Sequence, residues 1–229
     1  MKLHKRAHLS FLLLLVVCVV LFVSGATATS IPVANYSFEI NNGFPYQCDP
    51  PVAGCAYNFG PIPGWETSGY WVGLQMGMQF VGGNPPAYDG NVIAGIGDPN
   101  SGGRIWQDVG AATAGYTYTL QVEMLHRKDN IPFSGVVQLE VGGTVVATAT
   151  GPDGGPGTWN DFTAVYTASA ADAGKTLTIL LSAPYWQGDF DYVRLDGTSS
   201  VPEPATLSLL GSALATAVVA IRRRIGKGK

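Results

Sequence analysis

The chain has 229 residues, with 13 Lys and Arg against 16 Asp and Glu and 3 His, a formal net charge of −3. Eight of the bases lie in the first 28 and last 29 positions, so residues 29–200 hold five bases and fifteen acids. That acidity excludes nucleic acid and anionic membrane surfaces as partners, and admits divalent cations or neutral polymers.

At the N-terminus, Lys2, Lys5 and Arg6 precede an almost unbroken apolar run over residues 9–23, followed by Ala26-Thr27-Ala28. Basic flank, apolar core and small residues in that order predict a signal peptide over residues 1–28, cut after Ala28. An uncleaved anchor helix is the alternative. Cys18 leaves with this segment, so Cys48 and Cys55 remain, with six residues between them. In an oxidising compartment such a pair reads as a disulfide clipping its loop. A two-sulfur metal site lacks nearby His or further Cys.

Residues 33–39 alternate and are expected to form the first strand. The Pro-, Gly- and Asn-rich stretch 41–64 reads as a long loop holding the Cys pair. Short strands are expected at 70–72 and 76–80, a turn at 84–89, a strand at 91–96, a turn at 98–103 and a strand at 104–109. Residues 116–125 alternate through Tyr116, Tyr118, Leu120, Val122 and Met124. Gly142-Gly143-Thr144 between 136–141 and 145–150 predicts a hairpin. Strands at 159–167, 176–182 and 190–195 follow, with a helical turn at 168–174. Many short strands and frequent turns predict an all-β fold, a two-sheet antiparallel β-sandwich of the jelly-roll kind over residues 29–200.

Candidate ligand-binding residues are aromatic faces beside polar groups. Tyr185 and Trp186, with Gln187 and Asp189, form the better cluster; Trp65, Tyr70 and Trp71 form an earlier one. Trp65 also reads as a plug at one end of the sandwich, and Trp106 alternates toward the core. His126 is the one histidine of residues 29–200, and no nucleophile elbow, His-Glu-x-x-His or phosphate loop is present. No catalytic residue is therefore assigned, and 126–129 reads as a polar turn after a strand. Glu123 and Glu140 could in principle contribute to a glycosidase pair, but an acidic surface supplies such pairs by chance.

Three blocks resemble jelly-roll modules of the galactose-binding-like and carbohydrate-binding type. They are Asn35-Tyr36-Ser37-Phe38-Glu39 with Pro63-Gly64-Trp65, the Gln107 to Leu120 block containing Gly115-Tyr116-Thr117-Tyr118, and Phe190-Asp191-Tyr192-Val193-Arg194-Leu195. The resemblance implies a structural calcium between first and last strands, with Glu39 and Asp191 as carboxylate ligands.

The C-terminal segment has Pro202-Glu203-Pro204, 17 uncharged residues at 205–221, and a basic tail at 222–229 with Arg222, Arg223, Arg224, Lys227 and Lys229. A helix over the apolar run would span roughly 25 Å, with the basic end held on the cytoplasmic side. This order resembles the PEP-CTERM sorting signal of exported bacterial proteins. It implies that Pro202, Glu203 and Pro204 are recognised by an exosortase-type protease; an ordinary tail anchor is the alternative. A bacterial host would leave the Asn35-Tyr36-Ser37 sequon idle. The expectation is an exported protein, first anchored in the inner membrane and then at the cell surface or in the extracellular matrix. There it would be a non-catalytic module for glycan or exopolysaccharide. The alternatives are a structural exopolymer or biofilm component, and a polysaccharide hydrolase.

Overall fold

Thirteen strands account for about half of the chain between residues 28 and 199, in a computed structural model that describes residues 28–48, 53–97, 102–129 and 133–199. They are β1 (Ala28–Ile31), β2 (Tyr46–Gln47), β3 (Ala56–Tyr57), β4 (Glu66–Ser68), β5 (Trp71–Met76), β6 (Val92–Gly97) and β7 (Gly103–Ala111). The second half contributes β8 (Tyr116–His126), β9 (Val136–Val141), β10 (Thr144–Thr148), β11 (Thr158–Thr167), β12 (Thr176–Ala183) and β13 (Gly188–Ser199). Eight of them form one antiparallel sheet, in the order β11-β8-β13-β6-β5-β3-β2 with β1 paired to β13. The other five form the second sheet, β10-β9-β12-β7-β4. The expected all-β, two-sheet sandwich is therefore the fold.

Period-two patterning builds the core. Leu120, Val122 and Met124 of β8 and Leu177, Ile179 and Leu181 of β12 belong to one buried cluster. Each such side chain contributes about 1.5–3 kcal/mol on burial. Strand β13 breaks the period: its register shifts between Asp191 and Arg194, and Tyr192 adopts φ 49°. The bulge lets Phe190 and Val193, three apart, both enter the core.

Two local expectations are corrected. Residues 34–38 are a turn, not a strand, and Asn35 is the reason. Its amide donates to the Ile40 and Pro63 carbonyls and accepts from the Ile40 N–H, while Asn35 and Phe38 sit at φ 49° and 60°. A side chain that replaces backbone partners favours a turn over a ladder. Residues Met78–Phe80 form a 3-10 turn after Gly77 at φ 71°, and the strand before it runs through Trp71–Met76. Elsewhere the predicted hairpin closes at Gly142 and Gly143, with φ 59° and 76°, values that glycine adopts freely.

The Cys48–Cys55 disulfide is present, with a Cα–Cα distance of 5.6 Å. Among the described residues no helix is long and apolar enough to cross a membrane. The leader over residues 1–27, Pro202, Glu203, Pro204, the apolar run 205–221 and the basic tail 222–229 lie outside the described residues. Ala28 opens β1, so a cut after it would leave Thr29, Ser30 and Ile31 paired with β13.

Candidate functional site

On the outer face of the larger sheet, β5 and β6 place Gly73 directly opposite Gly95. Neither position has a side chain, which lets other groups approach the sheet closely: Gly73 is buried under the backbone of residues 58 and 59. A Cβ at Gly73 would stand 1.9 Å from the Asn58 carbonyl oxygen. Both glycines lie in the lining of a cleft of about 270 Å³. Tyr57, Phe59 and Trp71 line it with rings, and Gln75, Gln187, Arg127 and Asp129 line it with polar groups.

A hydrogen-bond chain runs beneath those polar groups. Gln75 Nε2 approaches Cys48 Sγ and Cys55 Sγ at 3.7 and 3.6 Å, and its Oε1 accepts from Gln187 Nε2 at 3.4 Å. Gln187 Nε2 also donates to Asp189 Oδ1 at 2.7 Å, and Arg127 Nη1 donates to Asp189 Oδ2 at 3.2 Å. Arg127 completes the chain on Asp129, with Nε on Oδ1 at 2.8 Å and Nη2 on Oδ2.

Asp189 is 1% exposed and Arg127 7%. Burial disfavours charge on Arg127, but Asp189 and Asp129 outweigh it and hold the guanidinium above its ordinary pKa. Burial likewise pushes Asp189 up, against Arg127 and Gln187, which favour its ionised form. With donors on both oxygens, the geometry serves the carboxylate. For Asp129, burial raises the pKa, and the bonds from Arg127 overcome it and leave it lowered.

The structure brings Gln187 into the cleft lining and Asp189 directly behind it. Tyr185 and Trp186 stand outside the lining, 68% and 51% exposed, on the turn that enters β13. Trp186 lies at the rim: a Cβ at Gly97, the register partner of Trp71, would meet its carbonyl oxygen at 2.8 Å. Trp71 rather than Tyr185 supplies the wall. Trp65 is a plug, 6% exposed and packed on Phe38 at 5.6 Å between ring centroids. Trp106 is corrected: it lies on the outer face of the smaller sheet, half-buried, with Arg104 over its ring at 5.3 Å.

The sequence pattern places Arg127 and Asp129 in a polar turn and does not single out Tyr57, Phe59 or Gln75. One signal was available, glycines at the outward positions of β5 and β6, which mark a close approach or an empty surface. His126 does end its strand, bonded to Asp153 at 2.7 Å. Glu123 and Glu140 stand on different sheets, β8 and β9, so the two do not share a site.

Glu39 and Asp191 both hold the segment before β6. Glu39 Oε1 accepts from the Asn91 and Val92 N–H groups at 2.8 and 2.7 Å. Asp191 accepts from the Asp89 and Tyr192 N–H groups at 2.9 and 2.7 Å. Asp191 is fully buried, and burial, opposed by those backbone donors, pushes its pKa up to about 7. Among the described residues no cationic side chain pairs with it. A buried carboxylate without a counter-charge fits a hard cation such as calcium, and Glu39 holds backbone two residues further along the segment that Asp191 holds. Among the described residues no three His, Cys, Asp or Glu gather as a metal centre, so backbone carbonyls would have to complete the shell.

The comparisons with known proteins divide the chain at the same place. A family model described as HpiC1 cyclase, HpiC1-like, matches residues 29–196, and the PEP-CTERM protein-sorting motif matches residues 200–224. The Stig cyclase Fisc from Fischerella sp. TAU, in complex with (3Z)-3-(1-methyl-2-pyrrolidinylidene)-3H-indole, shares 20% identity at TM-score 0.64, covering 76% of this chain and 100% of that one. A Fischerella sp. TAU cyclase in complex with 4-(1H-Indol-3-yl)butan-2-one shares 21% at TM-score 0.59, covering 76% and 100%. At these identities the likeness is one of fold. The CBM22-1 xylan-binding domain of Paenibacillus barcinonensis Xyn10C shares 10% at TM-score 0.46, covering 78% and 100%, and carries no inference. No curated protein matches the chain.

Proposed function

The chain belongs to the HpiC1-like family, and from that premise we propose that this member is an exported, non-catalytic module whose cleft holds a neutral glycan. The supporting observation is the state of the cleft acids. Both oxygens of Asp189 and both of Asp129 already accept from Gln187 and Arg127. What remains for a ligand is a set of aromatic faces, the amides of Gln75 and Gln187, and a floor whose two carboxylates share the Arg127 guanidinium. Sugar rings stack on such faces and bond to such amides.

The PEP-CTERM motif supports export and an exosortase-type processing partner acting at Pro202-Glu203-Pro204, with a membrane-anchored precursor and delivery to the surface or matrix. Calcium would be held by Glu39 and Asp191, where it would tie the 34–38 turn to β13 without entering the cleft.

A second reading is cyclisation, as the family description names. The observation favouring it is the burial of Asp189, which pushes that group toward the protonated form an acid catalyst needs. Affinity electrophoresis through neutral and acidic polysaccharides, with wild type, Trp71→Ala and Gln187→Ala, separates the readings. Retardation by a neutral glycan that both variants lose supports binding. Turnover of an indole-bearing substrate, abolished in Asp189→Asn, would replace binding with cyclisation. Association with secreted polymer in the host without any soluble ligand would leave a structural matrix component.

A further inference from the structure

The cleft does not end its aromatic wall at its own rim. Phe59 lines the cleft, and from it a row of rings continues over the sheet edge. Tyr46 and Tyr57 stack at 5.4 Å and 22°, Tyr57 meets Phe59 at 5.2 Å, and Phe59 stacks on Tyr70 at 6.4 Å and 27°. Tyr46, Phe59 and Tyr70 are 48%, 46% and 78% exposed. Water-facing rings in a contiguous row are a feature that folding alone does not require.

We propose that this row is an extended platform for a linear, uncharged polysaccharide, so that the site reads several consecutive sugars rather than one terminal ring. The inference rests on the glycan reading of the cleft and deepens it. A volume of about 270 Å³ lies below the ~300–1,000 Å³ of drug-sized sites and holds only a short piece of such a chain. The row extends continuously from the cleft wall through Phe59, so the rest of the chain lies over Tyr46, Tyr57 and Tyr70. These four side chains carry no formal charge, and residues 29–200 have ten more acids than bases, which disfavours a polyanionic glycan.

The platform is also held in place before any ligand arrives. Tyr46 and Tyr57 are direct register partners of the short pair β2–β3, and Cys48–Cys55 closes the loop between those strands. A two-residue pair has little stability of its own. The covalent clip keeps the rings aligned without drawing that cost from binding, which is preorganisation.

The test is calorimetry on the purified full-length protein with cello- and xylo-oligosaccharides of one to six units, and with oligogalacturonates as the charged control. Wild type is compared with Tyr46→Ala, Tyr70→Ala and the double variant, all at exposed positions outside the cleft lining. The expected result is affinity rising with chain length for a neutral series, and a roughly tenfold loss on the hexamer in the double variant. Binding of the one- and two-unit sugars stays unchanged. Affinity independent of length, or a double variant that binds the hexamer as wild type does, overturns the platform while the cleft reading stands. No binding of any neutral sugar at any length sinks both. Sedimentation provides the remaining arm: a wild-type dimer that the double variant dissociates, without length dependence, makes the row a self-interface and also overturns the proposal.

Discussion

Arg127 and Asp189 meet with both side chains buried, Nη1 to Oδ2 at 3.2 Å, although 62 residues separate them in sequence. The pair joins the end of β8 to the start of β13 and forms the floor of the cleft. Removing one partner leaves the other charge buried with less compensation. Arg127→Ala is expected to cost about 3–5 kcal/mol, while Arg127→Met with Asp189→Leu recovers part of that loss, Asp129 still lacking its partner. Urea unfolding of the three proteins decides it. A double variant as unstable as the single would mean that the pair is held for more than mutual neutralisation.

Asp129 sets a pH dependence. Burial raises its pKa and the Arg127 bonds lower it further than burial lifts it, so the folded value lies below the unfolded ~3.9. A depressed carboxylate contributes stability that is present above the unfolded value and lost as pH falls through the folded one. Asp129→Asn should therefore lower stability by roughly 1 kcal/mol at pH 7, with part of that discounted for its solvent-facing side. The difference from wild type should shrink as pH falls below about 4. Parallel melting curves down to pH 2.5 would contradict the assignment.

Calcium has a direct thermal readout. If Glu39 and Asp191 hold it, calcium at a hundredfold excess over its Kd raises stability by about 2.7 kcal/mol. Chelation should lower Tm by several degrees, and Asp191→Asn should remove the response to added calcium. Equal Tm values in calcium and in chelator would end the metal assignment and leave Asp191 as a backbone clamp alone.

The disulfide should matter more for the cleft than for the fold. Its loop is short, with a sequence separation of 7, so its loss costs about 2 kcal/mol. Gln75, whose amide rests on both sulfurs, loses its orientation at the same time. Cys48→Ser/Cys55→Ser is expected to remain folded by far-ultraviolet circular dichroism, change its aromatic near-ultraviolet signal, and bind glycan more weakly. Unaltered binding would show that Gln75 does not position the floor.

Some structure was legible because it is local. Residues 116–125 alternate over ten positions, and β8 is the strand they predict, extended by His126. Gly142 and Gly143 predict a hairpin because both need positive φ, and both have it. Residues 33–39 alternate as well, yet 34–38 form a turn. There the Asn35 amide takes over the backbone bonds, drawing on Pro63, 28 residues away. Trp106 shows the same limit, since alternation assigns a residue to one of two faces without saying which face meets the other sheet.

The sandwich class, the Cys clip and the sorting signal at 201–229, matched over 200–224, are legible without a structure, because each rests on spacing within a few residues or on composition. The cleft was decided only by tertiary structure. Gly73 faces Gly95, Gln187 reaches Gln75, and Arg127 reaches Asp189 because β5, β6, β13 and β8 lie side by side in an order unlike their order in the chain. Strand order arises from burying one common core. Residues on the outer face are brought together by that choice, and no local period records which of them become neighbours.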